Sequence, residues 1–226
     1  MCSRYSLTSP HEAVRAYFDT KNAHEFPPRY NIAPSQPVLI VRLDGKSERE
    51  MVLVRWGLVP SWVKDLQQFA PLINARAETA AEKPSFRGAM RHKRCLVPAT
   101  GFYEWTGAAG SKQPHLIRPR AGGLMAFAGL HETWLGADGS EIDTMCILTT
   151  AANRTVASIH DRMPVILAPE SFAMWLDCKG FAAKDASLLL QPAADRLLEV
   201  VLVSKALNNP RNEGPELHRS PPAELI

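Results

Sequence analysis

The chain lacks most of the features that would give its function away cheaply. Its four cysteines, Cys2, Cys95, Cys146 and Cys178, are widely spaced, and no C-x-x-C pair occurs. That spacing argues against a zinc site and against a disulfide framework, and fits a reducing cytosol. No apolar run approaches the length of a membrane span, and no apolar segment early in the chain has the form of a secretory signal. There are no repeats and no low-complexity linker. Net charge is small, +3 over 226 residues, so overall charge alone does not indicate a polyanion partner. Membrane, repeat and zinc-site classes are set aside; no cofactor and no metal are expected.

What is present begins at Cys2. Removal of an initiator methionine before a small residue leaves an α-amine and a thiol on the same residue. Their unperturbed pKa values are about 7.7–8.0 and about 8.5, so both are partly nucleophilic near neutrality. Such a pair condenses with an aldehyde: the amine forms an imine, the thiolate adds to the same carbon, and a thiazolidine closes with the high effective molarity of an intramolecular step. Alone, a cysteine near the start of a chain is a weak signal.

Charge is locally clustered. Lys83, Arg87, Arg91, His92, Lys93 and Arg94 form one run, while Arg4, Arg42, Arg55, Arg76 and Arg162 lie in or beside apolar segments. A run of charge is usually a solvated face. Arginine among aromatics also fits phosphate and ring stacking.

Ser9-Pro10-His11-Glu12 has the form of a capping box, and the apolar spacing after it predicts a helix over 10–22. Residues 26–36 read as an irregular loop. Residues 37–43 and 50–56 read as a hairpin around Asp44-Gly45-Lys46. Helices are expected near 75–82, 85–92, 152–159 and 170–177. Strands are expected at 95–98, 101–106, 115–118, 124–131, 142–149 and 198–203. The pattern predicts an α+β fold: a single domain over 1–226, with a largely antiparallel, barrel-like sheet, peripheral helices and a C-terminal strap or tail over 206–226.

Four segments place polar groups in apolar settings. Trp56 and Trp62 flank a Gly-Leu-Val-Pro-Ser run and fit either core or a base-stacking platform. Asn74 fits a helix cap or an amide that orients an amine or a sugar hydroxyl. Glu104, within Gly101-Phe102-Tyr103-Glu104-Trp105, fits a water-facing strand residue or a desolvated general acid. His160, in His160-Asp161-Arg162, fits a structural histidine or a proton shuttle.

Taken in order, these segments resemble the SOS-response-associated peptidase (SRAP) family. The resemblance is carried by Cys2-Ser3-Arg4-Tyr5, Tyr30-Asn31-Ile32-Ala33-Pro34, Arg55-Trp56-Gly57-Leu58-Val59-Pro60-Ser61-Trp62 and Ile73-Asn74-Ala75-Arg76-Ala77-Glu78-Thr79. It continues through Arg94-Cys95-Leu96-Val97-Pro98-Ala99, Gly101–Trp105, Phe127-Ala128-Gly129-Leu130, His160–Leu167 and Val203-Ser204-Lys205-Ala206. It implies capture of abasic sites in single-stranded DNA through a thiazolidine on Cys2, within the DNA damage and SOS response. It further implies that Asn74 positions the reactants, Glu104 transfers protons, His160 serves the sugar oxygen, and Arg4, Arg76 and Arg162 hold flanking phosphates. The chain departs from the family at Ser3, where glycine is usual, and at His131, where an aromatic is common. The expected protein is a cytoplasmic, nucleoid-associated monomer whose partner is abasic single-stranded DNA and not a membrane. Two other readings stand beside this one. The first is an N-terminal-nucleophile cysteine peptidase that could process its own Met1; the second is a non-catalytic single-strand-binding module.

Overall fold

The computed structural model describes residues 2–108 and 110–220. Its strands are β1 (Tyr5–Leu7), β2 (Arg29–Ile32), β3 (Pro37–Leu43), β4 (Arg49–Trp56), β5 (Asn74–Arg76), β6 (Arg94–Ala99), β7 (Gly101–Thr106), β8 (Gln113–Pro119), β9 (Met125–Leu135), β10 (Glu141–Ala151), β11 (Arg162–Pro164), β12 (Ile166–Leu167) and β13 (Leu198–Leu202). Its helices are α1 (His11–Phe18), α2 (Arg87–His92), α3 (Arg154–Ala157), α4 (Phe172–Leu176) and α5 (Ala183–Ser187).

Strands β4, β3, β6, β9 and β10 close on one another into a barrel, with antiparallel pairing throughout except between β4 and β10. The sequence accounts for the closure. Val38–Val41 and Cys95–Ala99 are continuous apolar runs and are buried along their length, as strands covered on both faces must be. Gly129 on β9 marks a close approach: a Cβ there would sit 2.9 Å from both Cys95 Sγ and Val97 Cγ2. A second, five-stranded sheet in the order β13-β8-β7-β1-β2 lies against the barrel. Tyr5 of β1 packs between the two, with ring centroids 5.2 Å from Trp56 and 6.0 Å from Phe127. Helix α1 buries Val14 and Phe18, one turn apart, and Phe18 stacks on Phe172 of α4 at 5.5 Å. The fold is thus a single α+β domain with a barrel core and peripheral helices. Among the described residues, no helix is long and apolar enough to cross a membrane.

Several local expectations are corrected. The segment expected to be helical near 75–82 is instead strand β5 followed by turns. Its Ala-Arg-Ala-Glu composition favours helix, but the edge of β10 offers parallel pairing and buries Ala75 to 1% exposure, and tertiary contact overrides propensity. The loop expected over 26–36 contains β2, drawn into the sheet by β1. The capping box is not formed: Pro10 caps α1 without a side-chain hydrogen bond. The helix expected over 152–159 shrinks to α3.

Candidate functional site

Cys2 lies immediately before β1 and is completely buried. Two neighbouring contacts fix the arm that carries it: Tyr103 N donates to Arg4 O at 3.0 Å, and the Cys2 thiol lies 3.7 Å from the same carbonyl. Burial, and then the charge of nearby Glu104, push the thiol above its ordinary pKa, so it rests as a thiol.

Asn74 opens β5, which pairs with β10 through Ile147. Its Nδ2 donates to Cys2 O at 2.8 Å. Its Oδ1 is buried with no hydrogen-bond partner among the described residues, an acceptor held open beside the cysteine backbone. Asn74 is therefore a strand residue bound to Cys2, not a helix cap.

Glu104 stands on β7, two residues beyond Phe102, which faces Tyr5 across the sheet. It is 4% exposed. Burial raises its pKa, partly opposed by the field of His160, which makes the carboxyl a proton donor closer to neutrality than an ordinary glutamate. The water-facing alternative for Glu104 is excluded by this burial.

His160 follows α3, at the entrance to β11. Its Nδ1 accepts the Arg162 backbone N–H at 2.9 Å, which places the proton of the neutral ring on Nε2 by inference from this bond. The Asp161 carboxylate lies 2.8 Å from the same nitrogen. Cys2, Asn74, Glu104 and His160 come from four separate chain segments and converge through direct contacts and mutual fields.

The candidate DNA contacts divide. Trp62 is 57% exposed, edge-on to Phe69 at 6.0 Å, and can offer a ring face. Trp56 cannot: it is 0% exposed, and its Nε1 donates to Ile73 O at 2.9 Å. Its place among the stacking residues is corrected to the core. Arg76 is exposed at the end of β5. Arg4 lies 5.7 Å from the Trp105 ring centre and donates to Asn31 Oδ1 at 2.6 Å and Leu207 O at 3.2 Å. Arg162 is paired bidentately with Glu78 at 2.6 and 2.9 Å. In the basic run, Arg94 is 1% exposed and donates to the carbonyls of Met90, Trp175, Asp177 and Phe181, while Lys93 is bound to Glu132.

Sequence reasoning assigned no part to Asn31 or Glu78. Asn31 is fully buried, and its Nδ2 donates to the carbonyls of Leu207, Asn209 and Asn212. The signal for both was a polar residue inside a matching motif segment to which no role had been given.

Barrel, flanking sheet and buried N-terminal cysteine centre together define a small β-barrel protein built around its own second residue. Such an architecture has relatives. The family described as SOS response associated peptidase (SRAP) matches residues 1–210, and the chain belongs to it. It is 41% identical over 224 residues to the abasic site processing protein YoqW of Bacillus subtilis (strain 168), covering 97% of this chain and 100% of the relative. It is 32% identical to the abasic site processing protein HMCES of Mus musculus, covering 100% of this chain and 77% of that one. A crystal structure of a protein from Bacteroides thetaiotaomicron superposes with a TM-score of 0.83 at 25% identity, covering 97% of this chain and 100% of that one.

Proposed function

We propose that the protein captures abasic sites in single-stranded DNA covalently, through a thiazolidine on Cys2 once Met1 has been removed. The observation that carries this reading is the enclosure of Cys2 by Asn74 and Glu104, with His160 acting on Glu104. The abasic-site names of the relatives support the same substrate class.

The chemistry closes without an outside reagent. The ring-opened abasic sugar presents an aldehyde. The Cys2 amine adds to its carbon and gives a carbinolamine. Glu104, whose burial favours its protonated form, donates its proton as the hydroxyl leaves as water, and a protonated imine (iminium) forms. The Glu104 carboxylate then accepts the Cys2 thiol proton as sulfur adds to the iminium carbon and gives the neutral thiazolidine. The acid is regenerated, and one water is the only leaving group. His160, with its proton on Nε2, donates a hydrogen bond to the sugar oxygen freed by ring opening. Asn74 holds the cysteine backbone by Nδ2 and offers Oδ1 to the amine or a sugar hydroxyl. Trp62 and Arg76 supply a ring face and a phosphate contact.

An amine-first order also separates this reading from a cysteine peptidase. An N-terminal-nucleophile peptidase would use the same α-amine as the base that takes the thiol proton, whereas here the amine itself bonds to the aldehyde carbon, and the two readings predict different products. The test is to incubate the protein with an abasic single-stranded oligonucleotide and read intact mass. The expected product is the demethionylated protein plus the oligonucleotide less one water. A Cys2→Ala variant that gave the same adduct would overturn the mechanism, and amine release from peptides without DNA would favour the peptidase.

A further inference from the structure

The side chain of Arg162 is not free in this structure. Nη1 and Nη2 donate to Glu78 Oε1 and Oε2 at 2.6 and 2.9 Å, and Nη2 also donates to Thr149 O at 2.6 Å. A guanidinium recognises a phosphate with the same parallel pair of N–H groups that here grips a carboxylate. The pair is asymmetric in access. The Arg162 side chain is 15% exposed and is tethered to β10 through Thr149, whereas Glu78 is 50% exposed on the turn that follows β5. Glu78 can therefore swing away from a fork that stays in place. The exposed Arg76, at the end of β5 just before that turn, is near enough for its charge to act on the Glu78 carboxyl as well.

We propose that Glu78 is a built-in competitor for a backbone phosphate: its carboxylate fills the Arg162 fork in the free protein and yields it to a phosphodiester when single-stranded DNA binds. The contact weakens binding to DNA at large, so that the protein does not hold undamaged strands tightly while the covalent step supplies retention at a lesion. It also keeps the Arg162 side chain ordered before DNA arrives, which removes part of the entropy cost of forming the phosphate contact. This inference rests on the reading that the protein takes single-stranded DNA at the face that leads to Cys2.

The experiment is a double-mutant cycle read by fluorescence anisotropy with an undamaged single-stranded oligonucleotide, which keeps the covalent step out of the measurement. Glu78→Gln preserves shape and removes the charge. It is expected to bind about two- to fivefold more tightly than the unmodified protein at low salt, the range set by an exposed ion pair, and the gain is expected to shrink as salt is raised. A gain that came only from loss of a nearby negative charge would appear in any background, so the cycle needs Arg162 variants. With Arg162→Gln, and with Arg162→Lys, which keeps a charge but loses the fork, the Glu78→Gln gain is expected to vanish. Equal or weaker binding by Glu78→Gln, or a gain that survives in both Arg162 backgrounds, would overturn the inference. Failure of the unmodified protein to bind the oligonucleotide at all would instead overturn the proposed function.

Discussion

Asn31→Leu tests how the C-terminal segment is held against the site. The Asn31 amide has two hydrogens and shares them among three carbonyls, Leu207 O at 3.3 Å, Asn209 O at 3.0 Å and Asn212 O at 3.0 Å. Its Oδ1 accepts from Arg4 Nη1 at 2.6 Å. Leucine has nearly the same shape and none of these groups. The Leu207 carbonyl belongs to a fully buried residue and stays dry, keeping only its 3.2 Å contact with Arg4; Asn209 and Asn212 are more exposed and regain water. Counting about 1 kcal/mol per lost bond and somewhat more for the charged partner left behind gives a cost of roughly 3–4 kcal/mol. For a chain of this size that lowers Tm by roughly 10 °C. The change should also be local. Amide exchange at Leu207, Asn209, Asn212 and Leu217 should accelerate before that of the barrel strands. Because Arg4 O anchors both Tyr103 N and the Cys2 thiol, covalent capture should slow well below the melting transition. A Tm within about 2 °C of the unmodified protein, or a drop with no faster exchange in that segment, would refute this account.

Glu104→Gln should slow crosslinking by about 10²–10⁴-fold, the usual range for a lost acid–base group, read as adduct formed per unit time. The same variant should be more stable at neutral pH. The folded state raises the Glu104 pKa, so it holds the proton more tightly than the unfolded chain does. That contribution is full below the unfolded value and is lost as pH rises through the folded one. Melting curves should therefore show the variant ahead at about pH 8 and level with the parent in strong acid; an identical pH dependence would show that the carboxyl is not desolvated. Trp56→Ala should cost about 3–5 kcal/mol of stability in denaturant titrations. Trp62→Ala should stay within about 0.5 kcal/mol and still weaken single-strand binding by about tenfold, as one lost stacking contact implies. Unchanged binding by Trp62→Ala would remove it from the DNA surface.

The barrel strands were legible because their apolar runs are long and nothing else in a chain of this length explains them. Val38–Val41, Cys95–Ala99 and the second half of β10 are of this kind. The short strands were not. Leu7 and its neighbours in β1, the β2 residues Arg29–Ile32 and the β5 residues Asn74–Arg76 carry no period of their own; β1 and β5 are strands because the longer β7 and β10 beside them offer pairing, and β2 is drawn in by β1. Propensity read Ala75–Glu82 as helix for that reason. The site showed the same division. Cys2, Asn74, Glu104 and His160 could be named from residue type and family motif. That Trp56 is core, that Arg162 is already paired, and that Asn31 holds the C-terminal segment depend on contacts between residues far apart in the chain. Local pattern holds no trace of such contacts.

Burial does more in this site than shelter it. Both proton carriers nearest the reacting carbon, the Cys2 thiol and the Glu104 carboxyl, are shifted toward their protonated forms, chiefly by loss of solvent. A thiol without its proton would be the stronger nucleophile, so the shift looks unfavourable if sulfur attacks first. It becomes favourable if the amine attacks first, because Glu104 must then begin as an acid and end as a base, and the thiol must keep its proton until that base exists. Under the proposed mechanism, the upward shift of both groups favours the order in which the amine attacks first. It also fixes the shape of the pH profile. Crosslinking should fall on the acid side as the Cys2 amine becomes protonated and on the alkaline side as Glu104 loses its proton. In Glu104→Gln the alkaline limb should disappear while the acid limb, which belongs to the amine, remains. A variant that kept both limbs would show that another group supplies the acid, and the amine-first cycle through Glu104 would have to be abandoned.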